Sequence, residues 1–392
     1  MEYDVAFVGL GYVGLSSAVC FADRGINVLG IDIDTKKLNM IKKSNSPIHE
    51  KNINELLEKS IKKKKLSLSR EIKDVTKAKI IFLTVGTPSR KDGSVDLKYI
   101  KQASKDIAIA IKNIQEYFVI VIKSTVVPGT ALKIIKNLEK YSGRKNSIDF
   151  GVVVNPEFLQ EGNAINDSLR PDKIVLGVNS EKDKKIMFSL FKKIYRKNLP
   201  IVYTTPSNAE LIKYANNSLL ATKISFMNYI ARIAEQIPDG DVEEIKNAIG
   251  MDKRISESFL NAGLGFGGSC FPKDVRALVE AGKELTSPQR LAEIVLQINQ
   301  AQSEIVVAKI DRALQGLDQK RIGVLGLSFK PNTDDMRESS SLTMIPYLSK
   351  RGAIIRYYDP SGEKINFNKF KNVNFCSSVS SACYKSDLII IH

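Results

Sequence analysis

The sequence predicts an α/β protein with two doubly wound parallel-sheet domains joined by a central helical segment that contains a long helix. Three observations predict it. Short apolar runs of strand length alternate with amphipathic stretches through residues 1–204. One plan, strand–Gly turn–helix–Gly–strand–Asp, opens the chain and returns near Lys320. Between the two copies, residues 205–317 are dominated by long helical patterns.

The elements follow in order. Val5-Ala6-Phe7-Val8 is a strand, and Gly9-Leu10-Gly11-Tyr12-Val13-Gly14 follows it. A small-residue helix spans 15–24 and stops at Gly25. A second strand over 28–31 ends at Asp32, which completes a βαβ unit. Apolar runs at 80–85, 118–122 and 151–154 supply further strands. One long helix is predicted over 207–236, with Ser207 and Glu210 at capping-box spacing. A second is predicted over 288–317. Arg321-Ile322-Gly323-Val324-Leu325-Gly326 then repeats the opening, and Gly352, a strand over 354–358 and Asp359 complete the copy. The last segment, 387–391, is again strand-like, and the chain stops in it. The expected domains are 1–204, 205–317 and 318–392.

Composition narrows the function. At 392 residues, two or three domains are expected. Hydrophobic residues are 43% and charged residues 26%, ordinary for a globular protein. No apolar run approaches the ~18 residues a membrane span needs, and Met1-Glu2-Tyr3-Asp4 has no basic leader, so neither span nor signal peptide is expected. The net charge of +16 includes the run Lys62 to Lys65, but no aromatics interleave the basic residues, which argues against nucleic acid. Four cysteines (Cys20, Cys270, Cys376 and Cys383) form no CxxC pair, which points to reduced thiols in the cytoplasm and to no metal site. The only histidines are His49 and His392. Proton transfer must therefore lean on Lys, Asp, Glu or water.

The opening motif has the full context of a dinucleotide site in a Rossmann-like domain: strand before, helix after, and Asp32 eighteen positions beyond Gly14. Gly9 permits the tight turn, Gly11 lets backbone approach a pyrophosphate, and Gly14 allows close helix–strand packing. The helix N-terminus faces the phosphates. Asp32 accepts from a ribose 2′-hydroxyl and repels a 2′-phosphate, so NAD is expected over NADP.

A second Gly-rich stretch, Gly263-Leu264-Gly265-Phe266-Gly267-Gly268-Ser269-Cys270-Phe271-Pro272-Lys273-Asp274, places four glycines in six residues ahead of Cys270. A cysteine near a cation is a candidate low-pKa nucleophile; taken alone, the same residue reads as a small buried side chain after a structural loop. The stretch closely resembles the active-site segment of the UDP-glucose 6-dehydrogenases, in the UDP-glucose/GDP-mannose dehydrogenase family. So do Asn155-Pro156-Glu157-Phe158-Leu159-Gln160-Glu161-Gly162, the Arg170-Pro171-Asp172 turn, and the run from Phe329 through Lys330, Asp335 and Arg337 to Ser339. These matches run in the family's order along the chain.

The resemblance implies a four-electron oxidation of UDP-glucose to UDP-glucuronate, with two NAD consumed and a thiohemiacetal and thioester formed on Cys270. By resemblance, Lys213 and Asn217 stabilise the developing alkoxide or oxyanion, and their spacing puts them on one helix face. Asp274 orients water or acts as a base, Glu157 does acid–base work in thioester hydrolysis, and Thr125 helps hold water. Tyr12, Val13, Lys37, Thr87, Thr125, Glu161, Lys273 and Arg337 match cofactor contacts. The substrate side matches Glu157, Phe158, Leu159, Glu161, Lys213, Asn217, Phe259, Phe266, Gly267, Cys270 and Lys330. Arg254 matches an arginine that reaches the neighbouring subunit's substrate, which implies a homodimer. Relatives acting on UDP-N-acetylmannosamine typically carry His where Ser269 stands, which favours UDP-glucose; the same chemistry on UDP-N-acetylmannosamine or GDP-mannose is the alternative. Family members continue past the last strand with a Thr-Glu-Trp-like segment. This chain ends at His392 and has no Trp, so a shortened third domain is expected.

Overall fold

The computed structural model describes residues 1–195 and 200–392. The chain forms two compact units, Met1–Ala215 and Asn216–His392.

The first unit opens with β1 (Tyr3–Val8), α1 (Tyr12–Asp23), β2 (Val28–Ile31), α2 (Thr35–Lys42), α3 (Ile53–Lys62) and β3 (Leu66–Ser69). It continues through β4 (Ala78–Leu83), α4 (Lys98–Ile111), β5 (Phe118–Ile122), α5 (Thr130–Ser142) and β6 (Phe150–Val154). It closes with α6 (Ala164–Leu169), β7 (Ile174–Gly177), α7 (Glu181–Ile194), β8 (Ile201–Thr204) and the start of α8 (Pro206–Ala234). The eight strands pair in the order β3-β2-β1-β4-β5-β6-β7-β8. Strand β5 is apolar at every position because both faces of the sheet are covered there: all of Phe118–Ile122 is buried. The strand order reverses between β1 and β4, so a crevice opens beyond their carboxyl ends. Pairing is parallel except between β6 and β7, which meet antiparallel at Val154 and Gly177.

Several boundaries differ from the sequence expectation. The first helix starts at Tyr12, inside the glycine motif. A Cβ at Gly14 would overlap the Gly9 carbonyl, so the bare glycine is what lets α1 begin that early. The strand expected over 80–85 is β4 instead, because the ladder to β1 ends at Val8 and Leu83. The capping box at Ser207 and Glu210 does not form. Helix α8 begins earlier, at Pro206, whose missing N–H is harmless in a first turn. The Glu210 carboxylate goes instead to two backbone N–H groups at the start of α5.

The second unit holds the remainder of α8, then α9 (Val242–Gly250), α10 (Phe271–Glu284), α11 (Arg290–Leu314) and β9 (Arg321–Leu325). After these come α12 (Ser341–Lys350), β10 (Ile354–Tyr358), β11 (Val373–Phe375), α13 (Val379–Cys383) and β12 (Leu388–Ile391). Its four strands are all parallel, in the order β11-β10-β9-β12. Ala221, Val275, Val279, Ala292 and Val295 form a core between α8, α10 and α11. Among the described residues, no helix is long and apolar enough to cross a membrane.

The repeat seen in the sequence is repeated in hydrogen bonding. The Leu10 N–H donates to Asp32 Oδ2 at 2.7 Å, and the Leu327 N–H donates to Asp359 Oδ2 at 2.8 Å. Each bond ties the Gly turn after a first strand to the acid after the neighbouring strand. Each acid is also paired to a lysine five positions on, Lys37 at 2.8 Å and Lys364 at 3.5 Å.

Candidate active site

The dinucleotide turn lies at the reversal point between β1 and β4. Gly9 has φ +97°, a left-handed conformation that favours glycine. A Cβ at Gly11 would meet nothing within 4 Å, so that backbone faces open space where a phosphate can approach. Asp32 is buried beyond β2, with Oδ1 accepting from the Asp34 N–H and Oδ2 from Leu10 and Lys37. Lys37 therefore reaches this site through Asp32. These residues fit a dinucleotide with an unmodified ribose: glycines whose backbone a phosphate can approach, and a fixed carboxylate that can accept from a hydroxyl. Tyr12 donates its hydroxyl to Glu50 and accepts from the Gly162 N–H at 2.8 Å. The glycine turn is thus joined to the loop that carries Glu157 and Glu161. Glu50 is a site residue that sequence reasoning missed. Its partners lie 38 and 112 positions away, and no local pattern marks them.

Three further sequence-predicted residues follow the carboxyl ends of β4, β5 and β6. Thr87 donates to the Thr125 carbonyl at 2.8 Å, which joins two adjacent loops. Glu157 and Lys213 form an ion pair at 3.0 Å, with side chains 6% and 4% exposed. Glu157 also accepts from the Leu159 N–H at 2.6 Å. Burial opposes ionisation of Glu157, but Lys213, the Leu159 N–H and Lys123 together hold its carboxyl below the usual range. The Lys213 ammonium lies 5.5 Å from the centre of the Phe158 ring. Lys123 donates to Asn155 at 3.2 Å. Burial pushes its ammonium down to about 8; Glu157 resists that shift and Lys213 reinforces it. Lys123 is a further buried residue that sequence reasoning missed.

In the second unit, Cys270 is the N-cap of α10 and is half-buried. The spacing of Asp274 from Cys270 is a helical turn, since the Asp274 N–H donates to the Cys270 carbonyl at 2.8 Å. Pro272 does not disturb it, because it falls in the first turn, where its N–H is not needed. Asp274 is fully buried, with Oδ1 accepting from Lys273 Nζ and Oδ2 from Asn217 Nδ2, each at 2.6 Å. Ser269 Oγ lies 3.6 Å from Cys270 Sγ.

The glycine loop before Cys270 is packed against residues 329–338. The Gly268 N–H donates to the Arg337 carbonyl at 2.8 Å. A Cβ at Gly267 would overlap the Glu338 carbonyl, and one at Gly268, with φ +80°, would lie 2.6 Å from the Phe329 ring. Asn299 clamps Phe266 from both sides, accepting from its N–H at 2.7 Å and donating to its carbonyl at 2.9 Å. Phe259 and Phe271 pack with ring centres 5.8 Å apart. Lys330 Nζ lies 5.8 Å from the Phe329 ring centre, and Arg337 pairs with Asp335 at 2.6 Å. Arg254 is exposed and pairs with Asp252, so it is not drawn into the Cys270 cluster.

Three family models match the chain. They describe the UDP-glucose/GDP-mannose dehydrogenase family: its NAD binding domain at residues 3–197, its central domain at 207–301 and its UDP binding domain at 323–392. A UDP-glucose 6-dehydrogenase of Rhizobium meliloti (strain 1021) is 38% identical over 392 residues, covering 99% of this chain and 88% of that one. UDP-glucose 6-dehydrogenase TuaD of Bacillus subtilis (strain 168) is 41% identical over 357 residues, covering 91% of this chain and 76% of that one. A solved UDP-glucose dehydrogenase from Pyrobaculum islandicum superimposes with a TM-score of 0.93 at 33% identity, covering 100% of this chain and 90% of that one.

Proposed function

The chain belongs to the UDP-glucose/GDP-mannose dehydrogenase family, with NAD as its cofactor, and from that premise we propose that it oxidises the C6 alcohol of UDP-glucose to the carboxylate through a covalent intermediate on Cys270. The observation that carries this reading is the Cys270 cluster. A half-buried cysteine stands at the N-cap position of α10, and the Lys273–Asp274–Asn217 network lies in the first turn after it.

NAD bound at the glycine turn supplies the hydride acceptor for each of two oxidations. The first takes a hydride from C6 while the hydroxyl proton passes to water, leaving an aldehyde; the developing alkoxide is stabilised by Lys213 and Asn217. The Cys270 sulfur then adds to the aldehyde carbon. A C–S bond forms, the S–H bond breaks, and the carbonyl oxygen takes that proton. That thiohemiacetal keeps a C–H that can leave as hydride in the second oxidation, which yields a thioester. Water held by Thr125 and deprotonated by Glu157 attacks the thioester carbon. The C–S bond breaks and Cys270 leaves as thiolate. Both Asp274 oxygens are already engaged, which supports a role in holding Asn217 and Lys273 in place. Pairing with Lys213 keeps Glu157 ionised and able to accept a proton while lowering its basicity.

The division into 1–204, 205–317 and 318–392 is supported by the family models, whose limits fall close to it. We assign the protein to the cytoplasm: no disulfide forms among the described residues. We also propose a homodimer through α8. One face of that helix packs on α10 and α11 through Ala221 and Ile224. Leu219, Phe226, Tyr229 and Ile233 on the same helix are each more than half exposed, with Leu219, Phe226 and Ile233 at heptad spacing. The substrate is tested with a sugar-nucleotide panel. UDP-glucose is expected to be the fastest substrate, and faster turnover of UDP-N-acetylmannosamine or GDP-mannose overturns that choice.

A further inference from the structure

The sequence singled out Glu210 as half of a capping box, and the structure gives it different work. Its side chain is 2% exposed. Its Oε2 accepts from the Gly129 N–H at 2.7 Å and its Oε1 from the Ala131 N–H at 2.6 Å. These are the N–H groups of the N-cap and of the second residue of α5; the N-cap, Gly129, has no side chain to offer. A helix start is ordinarily capped by a local Ser, Thr, Asp or Asn. Here the cap comes from another helix, about eighty positions away, as a buried carboxylate. Burial pushes that carboxyl up to about 7, against the pull of the Ala131 and Gly129 N–H groups and of Lys133. Capping alone does not call for so costly a group.

What the contact joins is specific. Glu210 stands three positions, nearly one turn, before Lys213 on α8. Gly129 ends the short segment that begins at Lys123 and carries Thr125. That segment is pinned at its other end: the Thr125 carbonyl accepts from Thr87, and the Ser124 hydroxyl donates to the Val85 carbonyl at 2.7 Å. Pro128 stiffens the segment before Gly129. A shift of α8 relative to α5 therefore moves Lys213 relative to Thr125.

We propose that Glu210 is a positioning residue for the oxidation, and that its two hydrogen bonds to the start of α5 hold Lys213 in register with the Thr125 loop. The proposal rests on the roles assigned above to Lys213 and Thr125. It makes Glu210 part of the machinery although it touches neither substrate nor cofactor.

The test uses the full chain with UDP-glucose and NAD, and compares Glu210→Ala, Glu210→Gln, Lys213→Ala and the Glu210→Ala/Lys213→Ala double variant. Circular dichroism and thermal melting establish that each is folded. Glu210→Ala is expected to lower kcat by about 10–100-fold, the cost of an ångström-scale misplacement, with KM for both substrates moved less than about threefold. Glu210→Gln keeps one acceptor and is expected to retain an intermediate kcat, which also covers the case in which the alanine variant fails to fold. In the Lys213→Ala background, Glu210→Ala is expected to add little, because the two act through one group. Wild-type kcat in both Glu210 variants, with a slow Lys213→Ala, overturns the proposal and leaves the site reading intact. A Glu210→Ala loss that multiplies fully onto that of Lys213→Ala also overturns it. Wild-type kcat in Lys213→Ala overturns the reading of the site, and this proposal with it.

Discussion

Lys213 Nζ lies 3.0 Å from Glu157 Oε1, and the pair is almost wholly buried. Removing one partner of a buried pair costs about 3–5 kcal/mol; the Leu159 N–H and Lys123 still support Glu157 and place the loss at the lower end. Lys213→Ala is expected to lose stability of that order in urea unfolding. Pairing it with Glu157→Gln is expected to recover much of the loss. The Glu157 carboxyl is held below its ordinary 4.5, so the pair's contribution is fully present above that pH. It is lost as pH falls through the lower folded value. The acid limb of the melting curve is expected to flatten in Glu157→Gln.

Lys123 gives a prediction of opposite sense. Its ammonium is pushed from 10.5 down to about 8. Between those values the unfolded chain holds a proton that the folded chain does not, so stability rises with pH across the window. Below pH 8 the buried charge is a constant burden. The melting temperature of Lys123→Met minus that of the wild type is therefore expected to be highest below pH 8 and to fall steadily toward pH 10.5. A pH-independent difference contradicts the assignment.

Asp32 holds the Leu10 N–H as well as Lys37. Asp32→Ala removes both bonds and the charge that disfavours a 2′-phosphate. NAD affinity, read by fluorescence titration, is expected to fall about tenfold or more, the worth of a charge-assisted hydrogen bond. Discrimination against NADP is expected to relax. Unchanged NAD affinity rules out the ribose contact.

Phe226 lies at the centre of the exposed stripe on α8. Phe226→Asp is expected to convert a dimer to a monomer in sedimentation velocity, since a buried unpaired carboxylate is not tolerated at such an interface. A wild-type chain that sediments as a monomer at micromolar concentration contradicts the proposed homodimer.

The two ends of the fold were legible because each carries a local signature: an apolar strand, a glycine whose φ is positive, and an acid after the next strand. The hydrogen bonds of Leu10 to Asp32 and of Leu327 to Asp359 are the physical content of that signature. The α10 turn was less legible: Cys270 and Asp274 stand one turn apart, but Pro272 between them left the local geometry open. Glu50, Lys123 and Glu210 were not legible. Periodicity reports which face of an element is buried, but not which distant loop supplies the partner. Glu50 meets Tyr12 and Gly162, and Glu210 meets Gly129 and Ala131, across long stretches of chain. Glu210 was misassigned because its spacing from Ser207 satisfied a local rule, while two buried N–H groups elsewhere needed a carboxylate more.

The central claim is a four-electron oxidation that passes through Cys270. It is tested most directly by counting NADH formed per UDP-glucose consumed, by absorbance, with UDP-glucose limiting and NAD in excess. Two NADH per UDP-glucose is the predicted result, because the thiohemiacetal on Cys270 carries the aldehyde into a second oxidation. One NADH per UDP-glucose, with an aldehyde released, would contradict the account.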